Sequence, residues 1–338
     1  MNKKRVLAML LAGAMALSMT ACGGNSASTD DSSNDGGASA SGGSYKVSVI
    51  LKTLAAEYWQ YVKSGAEDYA SEHSDKVTVE VKGPSSETAF DEMQNMIETD
   101  LSSGSYDGVI ISPLQSDTAA QLVSGTKLPI VAIDTNFTAP EVKSFVGTGN
   151  EAAAKKGGEA AVEAAKAAGW TDIKCIEIAG VQGDQTNTAR MNGYKAGVEE
   201  AGGTFLSDEV QYADATADRA TTAMEAIMQT HPEGIAIICA NNDDMAMAAA
   251  RAAQGHDAYK NTIFIGFNGD RAACEAILAG QMTMSVAQMA YEMGYKAVET
   301  MVQVLDGETV DEFVDSGSDV VTPDNAQERL DTLKTQLH

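Results

Sequence analysis

Short runs of β-branched residues recur along this chain, each apolar on both faces and each followed by a helical stretch. VSVIL, KVTVEV, DGVIIS, PIVAID, IKCIEIAG, GIAIICA, TIFIGF and MTMSVAQ are the strand candidates. Between them lie amphipathic or alanine-rich segments, among them Tyr58–Glu72, Glu87–Ser102, Asn150–Ala168, Thr188–Ala201, Asp243–Gln254 and Tyr291–Leu305. A strand with two apolar faces must be covered on both, and helical crossovers do this in parallel sheets. The fold class is therefore α/β, and the 338 residues suffice for two doubly wound parallel-sheet lobes. The first sheet is expected from about Tyr45 to Gly149 and the second from about Asn150 to Gln288. After Val321 the charged tail TPDNAQERLDTLKTQLH reads as a short surface helix.

The first residues have a different character. A basic start, MNKKR, precedes the apolar VLAMLLAGAMALSM, too short to span a bilayer comfortably. The run ends in Met19-Thr20-Ala21-Cys22-Gly23, similar to the bacterial lipoprotein signal in which the cysteine is acylated. Residues 1–21 are thus expected to be a signal peptide, with Cys22 the lipidation site. Residues 22–44 consist mainly of Gly, Ser, Ala, Asn and Asp, a composition that buries too little to order itself and reads as a tether. An extracytoplasmic, membrane-anchored globular domain is expected.

The formal charge of −25 argues against a nucleic-acid partner. Cys175, Cys239 and Cys274 sit in apolar runs without metal-ligand spacing, so they read as buried free thiols, and no metal site is expected. Gly180–Asp184 is glycine-rich but lacks both phosphate-loop patterns, so no nucleotide cofactor is expected.

Open α/β sheets bind ligands beyond the carboxyl ends of their strands. The residues at those ends are Lys52 with Tyr58 and Trp59, Ser112-Pro113-Leu114, Asp134, Arg190, Asn241 to Asp244, Asn268 and Gln288. They are polar, lightly charged, and include one aromatic pair but no histidine or cysteine. An aromatic face suits a ligand's C–H surface, while a carboxylate and a guanidinium suit vicinal hydroxyls, so the set reads as recognition of something neutral and hydroxyl-rich. Asn and Gln amides both donate and accept. One member of Asn241-Asn242-Asp243-Asp244 must cap the helix that follows. No arrangement for nucleophilic or paired-carboxylate catalysis stands out, and a non-enzyme is expected.

VILKTLxxxYW, KSGAED, GVIISPLQSD, LPIVAID, TARMNGYKAG, CANNDDMAM, FIGFNGD and AGQMTMSVAQ occur in an order that resembles the periplasmic sugar-binding proteins of the ribose and allose type. These are the solute receptors of ABC importers. The resemblance runs from about Tyr45 to Val321 and implies a type I periplasmic-binding-protein fold, two lobes joined by three crossovers. It places residues 45–149 and about 289–316 in the N-terminal lobe, and 150–288 and about 317–338 in the C-terminal one. It implies that Lys52, Tyr58, Trp59 and Asp134 bind ligand from the first lobe, Arg190, Asn242 and Asn268 from the second, and Gln288 from the hinge. Lys52 matches the allose-type members. Ala56 stands where the family commonly has Asn, Asn268 where it has Asp, and YADATADR (Tyr212–Arg219) lacks the family's aromatic residue. The implied activity is capture of a ribose- or allose-like monosaccharide by a monomer, and delivery to an ABC permease. A receptor for a polyol or a sugar-like signal molecule, feeding a sensor, is the alternative. A transcription regulator of the same architecture would need a DNA-binding N-terminus, where this chain has its signal segment.

Overall fold

The computed structural model describes residues 44–337. The expected signal segment, Cys22 and the tether up to residue 43 lie outside the described residues. Among these, no helix is long and apolar enough to cross a membrane.

The chain begins with β1 (Tyr45–Ile50), α1 (Glu57–Glu72), β2 (Val77–Lys82), α2 (Phe90–Ser103), β3 (Gly108–Ile111), α3 (Ser116–Val123), β4 (Ile130–Ile133) and β5 (Val142–Gly147). It then crosses into α4 (Asn150–Ala167), β6 (Lys174–Ala179), α5 (Gln185–Glu200), β7 (Thr204–Phe205), β8 (Gln211–Tyr212), α6 (Ala217–Thr230), β9 (Ile237–Ala240), α7 (Asp243–Ala253), β10 (Ile263–Asn268), α8 (Arg271–Leu278) and β11 (Met284–Gln288). A second crossing leads to α9 (Ala290–Leu305) and β12 (Phe313–Asp315), and a third to β13 (Ser318–Val321) and α10 (Ala326–Thr335).

Two sheets result. The first has the order β12-β5-β4-β3-β1-β2 and is parallel throughout. The second runs β13-β11-β10-β9-β6-β7, with β8 also on β6, and only β13 is antiparallel. Their central strands are buried on both faces, as parallel strands between helical layers must be. The fold is thus the two-lobed α/β arrangement expected.

Helix α9 returns to the first sheet because it meets α1 at backbone distance. A Cβ on Gly65 would run into the Tyr291 carbonyl, and one on Gly294 into the Val62 carbonyl. Near the crossings, Thr148 and Ser316 hydroxyls lie 3.4 Å apart, and Asp315 Oδ1 accepts from the amides of Gly149 at 3.4 Å and Gly317 at 2.9 Å.

Several boundaries differ from the pattern-based reading. The helix expected from Glu87 begins at Phe90, because Pro84 opens a loop whose Ser85 amide and hydroxyl donate to the Glu92 carboxylate. That leaves Glu87 outside the helix. Helix α5 begins at Gln185 rather than Thr188, because Asp184 caps it by accepting from the Asn187 amide at 2.7 Å. The tail after Val321 forms α10, but Ala326, Leu330 and Leu333 bury one of its faces. Cys175, Cys239 and Cys274 are free and buried.

Candidate functional site

The carboxyl edges of both sheets face one cleft of about 690 Å3. All eight residues proposed from the strand ends line it: Lys52, Tyr58, Trp59, Asp134, Arg190, Asn242, Asn268 and Gln288. Ser112, Pro113 and Leu114 do not. Ser112 is buried, and the other two border a small apolar groove with residues of α2 and α3.

The first wall is organised around Asp134, which follows β4 in the left-handed region at φ 63°. Such backbone in a non-glycine residue persists only where its surroundings fix it. Three groups do so. Tyr58 donates its hydroxyl to Oδ1 at 2.8 Å, Thr135 donates to Oδ2 at 2.9 Å, and Lys52 Nζ stands 3.6 Å from Oδ2. Burial, reinforced by the Asp134 charge, pushes the Tyr58 phenol well above its ordinary value, so it stays a donor. Trp59 stands edge-on to Tyr58, with centroids 5.0 Å apart, and its Nε1 donates to Glu87 at 2.8 Å. It is 3% exposed and belongs to the lobe core while also lining the cleft. Both readings of the aromatic pair, core and cleft wall, therefore describe the same rings.

The second wall is organised around Arg190 on α5. Its Nε donates to Asn150 Oδ1 at 2.8 Å, its Nη1 to the Asn241 carbonyl at 2.9 Å, and its guanidinium lies 3.9 Å from the Phe267 ring centre. Burial lowers its pKa below the ordinary guanidinium value, with the Asp134 charge opposing. Asn242 lines the cleft, but its carboxamide oxygen caps α7 through the Met245 amide at 2.8 Å and its nitrogen donates to the Ala215 carbonyl at 3.1 Å. Neighbouring Asn241 is more deeply buried and also lines the cleft. Of that acidic tetrad, Asp243 turns inward, bonded to Ser285 at 2.6 Å and to the Asp270 amide at 3.0 Å, and burial raises it to about 6.

Between the walls, Gln288 Nε2 donates to Asn268 Oδ1 at 2.8 Å. Asn268 holds φ 135°, again away from ordinary backbone. Asp270, two residues on, also lines the cleft, and burial followed by the Asp243 charge raises it well above its ordinary value. Where an aromatic residue was sought in YADATADR, the cleft meets Asp214, Ala215 and Thr216. Glu57 on α1 pairs across the cleft mouth with Arg271 on α8 at 3.1 Å.

Besides Asp270 and Glu57, further contributors escaped the sequence reading. Asn150, Asn187 and Glu87 sit at helix entries or in a loop, with nothing local to mark them. Glu177 was visible as a lone acid within KCIEIA on β6. It is fully buried, one carboxyl oxygen has no partner, the other accepts a long 3.4 Å bond from Asn241, and burial raises it to about 8. No histidine or cysteine lines the cleft among the described residues, nor do these hold a cluster of His, Cys, Asp or Glu able to bind a metal. The arrangement offers a carboxylate, a guanidinium, an ammonium, amides and an aromatic pair to something small that enters between the lobes.

Known proteins share this frame. The periplasmic binding protein domain family matches residues 47–309. The D-allose-binding periplasmic protein of Escherichia coli K12 is 30% identical over 265 residues, 75% of this chain and 83% of that protein. The ribose import binding protein of the same organism is 27% identical over 78% of this chain and 86% of its own length. Among solved structures, a carbohydrate transporter solute binding protein from Agrobacterium radiobacter in complex with D-arabinose superposes with TM-score 0.75 at 24% identity, covering 87% of this chain and 99% of that one.

Proposed function

The chain belongs to the periplasmic binding protein domain family, whose members are extracytoplasmic substrate-binding proteins, and we propose that it captures a monosaccharide between its lobes and passes it to an ABC permease. The reading rests on one observation above all. A buried carboxylate, Asp134, and a buried guanidinium, Arg190, stand on opposite walls of one cleft, each held by protein hydrogen bonds. Charge-assisted bonds from such groups to adjacent hydroxyls are strong and directional. Their desolvation is already met by the protein, so the ligand need not bring a charge of its own. Trp59 and Tyr58 supply an apolar wall for the C–H face, and Lys52, Asn268 and Gln288 complete the polar set.

The cleft volume is typical of small-ligand sites, about 300–1,000 Å3. Relatives named for D-allose and ribose support a pentose or hexose as the ligand. Ligand held by the first wall would draw the second toward it, and the crossings near residues 148–150, 287–291 and 315–319 would act as the hinge. The paired lobe surfaces of the closed form would then be what the permease reads. A lipid on Cys22 would keep the receptor, acting as a monomer, beside that permease.

The test is a thermal-shift screen of the purified protein against pentoses, hexoses, ketoses, polyols and sugar-like signal molecules such as a cyclic furanone diester. A rise of several degrees with one neutral sugar supports the proposal. A shift with a polyol or a sugar-like signal molecule alone would move the protein to the sensor reading. No shift with any of them would overturn the proposal.

A further inference from the structure

Helix α10 carries one side chain that leaves the helix surface and runs beneath the second crossing. Arg329 donates from Nη2 to the Gln288 carbonyl at 2.8 Å and from Nε to the Gly269 carbonyl at 3.3 Å, while Nη1 lies 3.3 Å from Met289 Sδ. No carboxylate of the described residues stands within ion-pair distance of it. A half-buried guanidinium whose hydrogen bonds go to backbone carbonyls gains little as packing, because an apolar side chain would cover the same surface without the desolvation cost. Helix α10 already has its anchors in Ala326, Leu330 and Leu333.

What the guanidinium reaches is specific. Gln288 lines the cleft, and Gly269 follows Asn268, which also lines it. Asn268 at φ 135° and Gly269 at φ 67° form a stretch that ordinary backbone preferences do not hold in place. On its N–H side the stretch is fixed by Ser285 Oγ, which accepts from the Gly269 amide at 3.0 Å, and by Asp243, which accepts from the Asp270 amide. On its carbonyl side the Gly269 oxygen accepts from Arg329 Nε at 3.3 Å and from the Cys274 thiol at 3.9 Å, and a thiol is a weak donor, so the stronger tie is Arg329. The same guanidinium ties the stretch to the residue that ends β11, where the chain leaves the second sheet for α9. The side-chain bond from Gln288 to Asn268 spans the same gap from the cleft side.

We infer that Arg329 is a positioning residue. It clamps the peptide units of Gly269 and Gln288, and so sets the two cleft amides Asn268 and Gln288 and couples the C-terminal helix to the second crossing. The inference rests on the cleft being the ligand site, but the clamping can be read without ligand.

Hydrogen exchange followed by mass spectrometry on the sugar-free full chain tests it, with peptides covering residues 265–271 and 286–290. Arg329→Gln should speed exchange in both segments about tenfold while distant strands of the first sheet stay protected. Arg329→Lys keeps the charge but cannot fork between two carbonyls, so it should restore only part of the protection. Leu333→Ala, which loosens α10 without touching the crossing, should lower the melting temperature and leave the two segments no faster than the rest. Wild-type exchange in both segments of Arg329→Gln would overturn the inference. So would equal acceleration in Leu333→Ala. Calorimetry with D-allose and D-ribose on the same variants then reads the consequence for binding separately from the clamping itself, with weaker affinity expected for Arg329→Gln.

Discussion

Glu177 gives a pH prediction whose sign and size follow from its surroundings. It lies on β6 in a fully buried position, faced by Asn241 and in the field of Arg190, with Tyr194 and Cys239 also in electrostatic range. Burial lifts its carboxyl from an ordinary 4.5 to about 8, although the Asn241 bond and the Arg190 charge both pull it down. A carboxyl raised in the folded state holds its proton there while the unfolded chain has released it. Its stabilising contribution is therefore complete below about 4.5 and is lost as pH rises toward and through 8. Each pH step inside that window removes about 1.4 kcal/mol, or about 5 kcal/mol across all of it. Glu177→Gln mimics the protonated acid and should remove this slope. Urea unfolding at pH 5, 6.5 and 8 would show the wild type losing stability at each step and the variant losing about 1 kcal/mol less per pH unit. Asp243, raised by burial to about 6, contributes the same sign at lower pH in both proteins and cancels in the comparison. Parallel pH profiles for the two proteins would refute the reasoning.

Trp59→Ala should weaken sugar binding at least ~10-fold, from a lost ring contact of ~0.5–1.5 kcal/mol and lost apolar burial, with calorimetry as the measure. Unchanged affinity in a folded variant would confine Trp59 to a core role. Gly294→Ala drives a methyl into the Val62 carbonyl and should destabilise by ~1–3 kcal/mol or more, seen as a lower melting temperature. Glu57→Gln removes the pair with Arg271 across the cleft mouth. Both side chains are partly exposed, at 32% and 47%, so overall stability should change by less than ~1 kcal/mol. The unliganded radius of gyration in X-ray scattering should nevertheless rise, and an unchanged radius would deny the pair a part in closure.

Alternation of doubly apolar strands with helices was enough to read the α/β class and two sheets, because burial on both faces leaves a continuous signature in the residues themselves. Among the described residues five strands escaped notice, β5, β7, β8, β12 and β13, and the last two show most plainly how a strand can depend on its partners. Phe313–Asp315 and Ser318–Val321 are short, mostly not buried, and become strands only because β5 and β11 offer open edges to them. Within the site, strand-end position identified residues from Lys52 to Gln288 because chain geometry puts strand termini at a cleft. It did not separate Asn242, whose amide is occupied by helix capping and Ala215, from the more buried Asn241 beside it. Nor did it assign Arg329 a place, since a guanidinium in a charged helix looks like any solvated one until the tail is folded under the crossing.

The proposed function requires that one neutral sugar be gripped by both walls at once. The most direct measurement is calorimetric titration of that sugar, the one that raises the melting temperature, into wild type, Asp134→Ala and Arg190→Ala. One site per chain is predicted, with binding reduced at least ~100-fold in each variant, since each loses charge-assisted bonds worth ~1.5–3 kcal/mol apiece. Near wild-type affinity in either folded variant would contradict a ligand held between the two lobes.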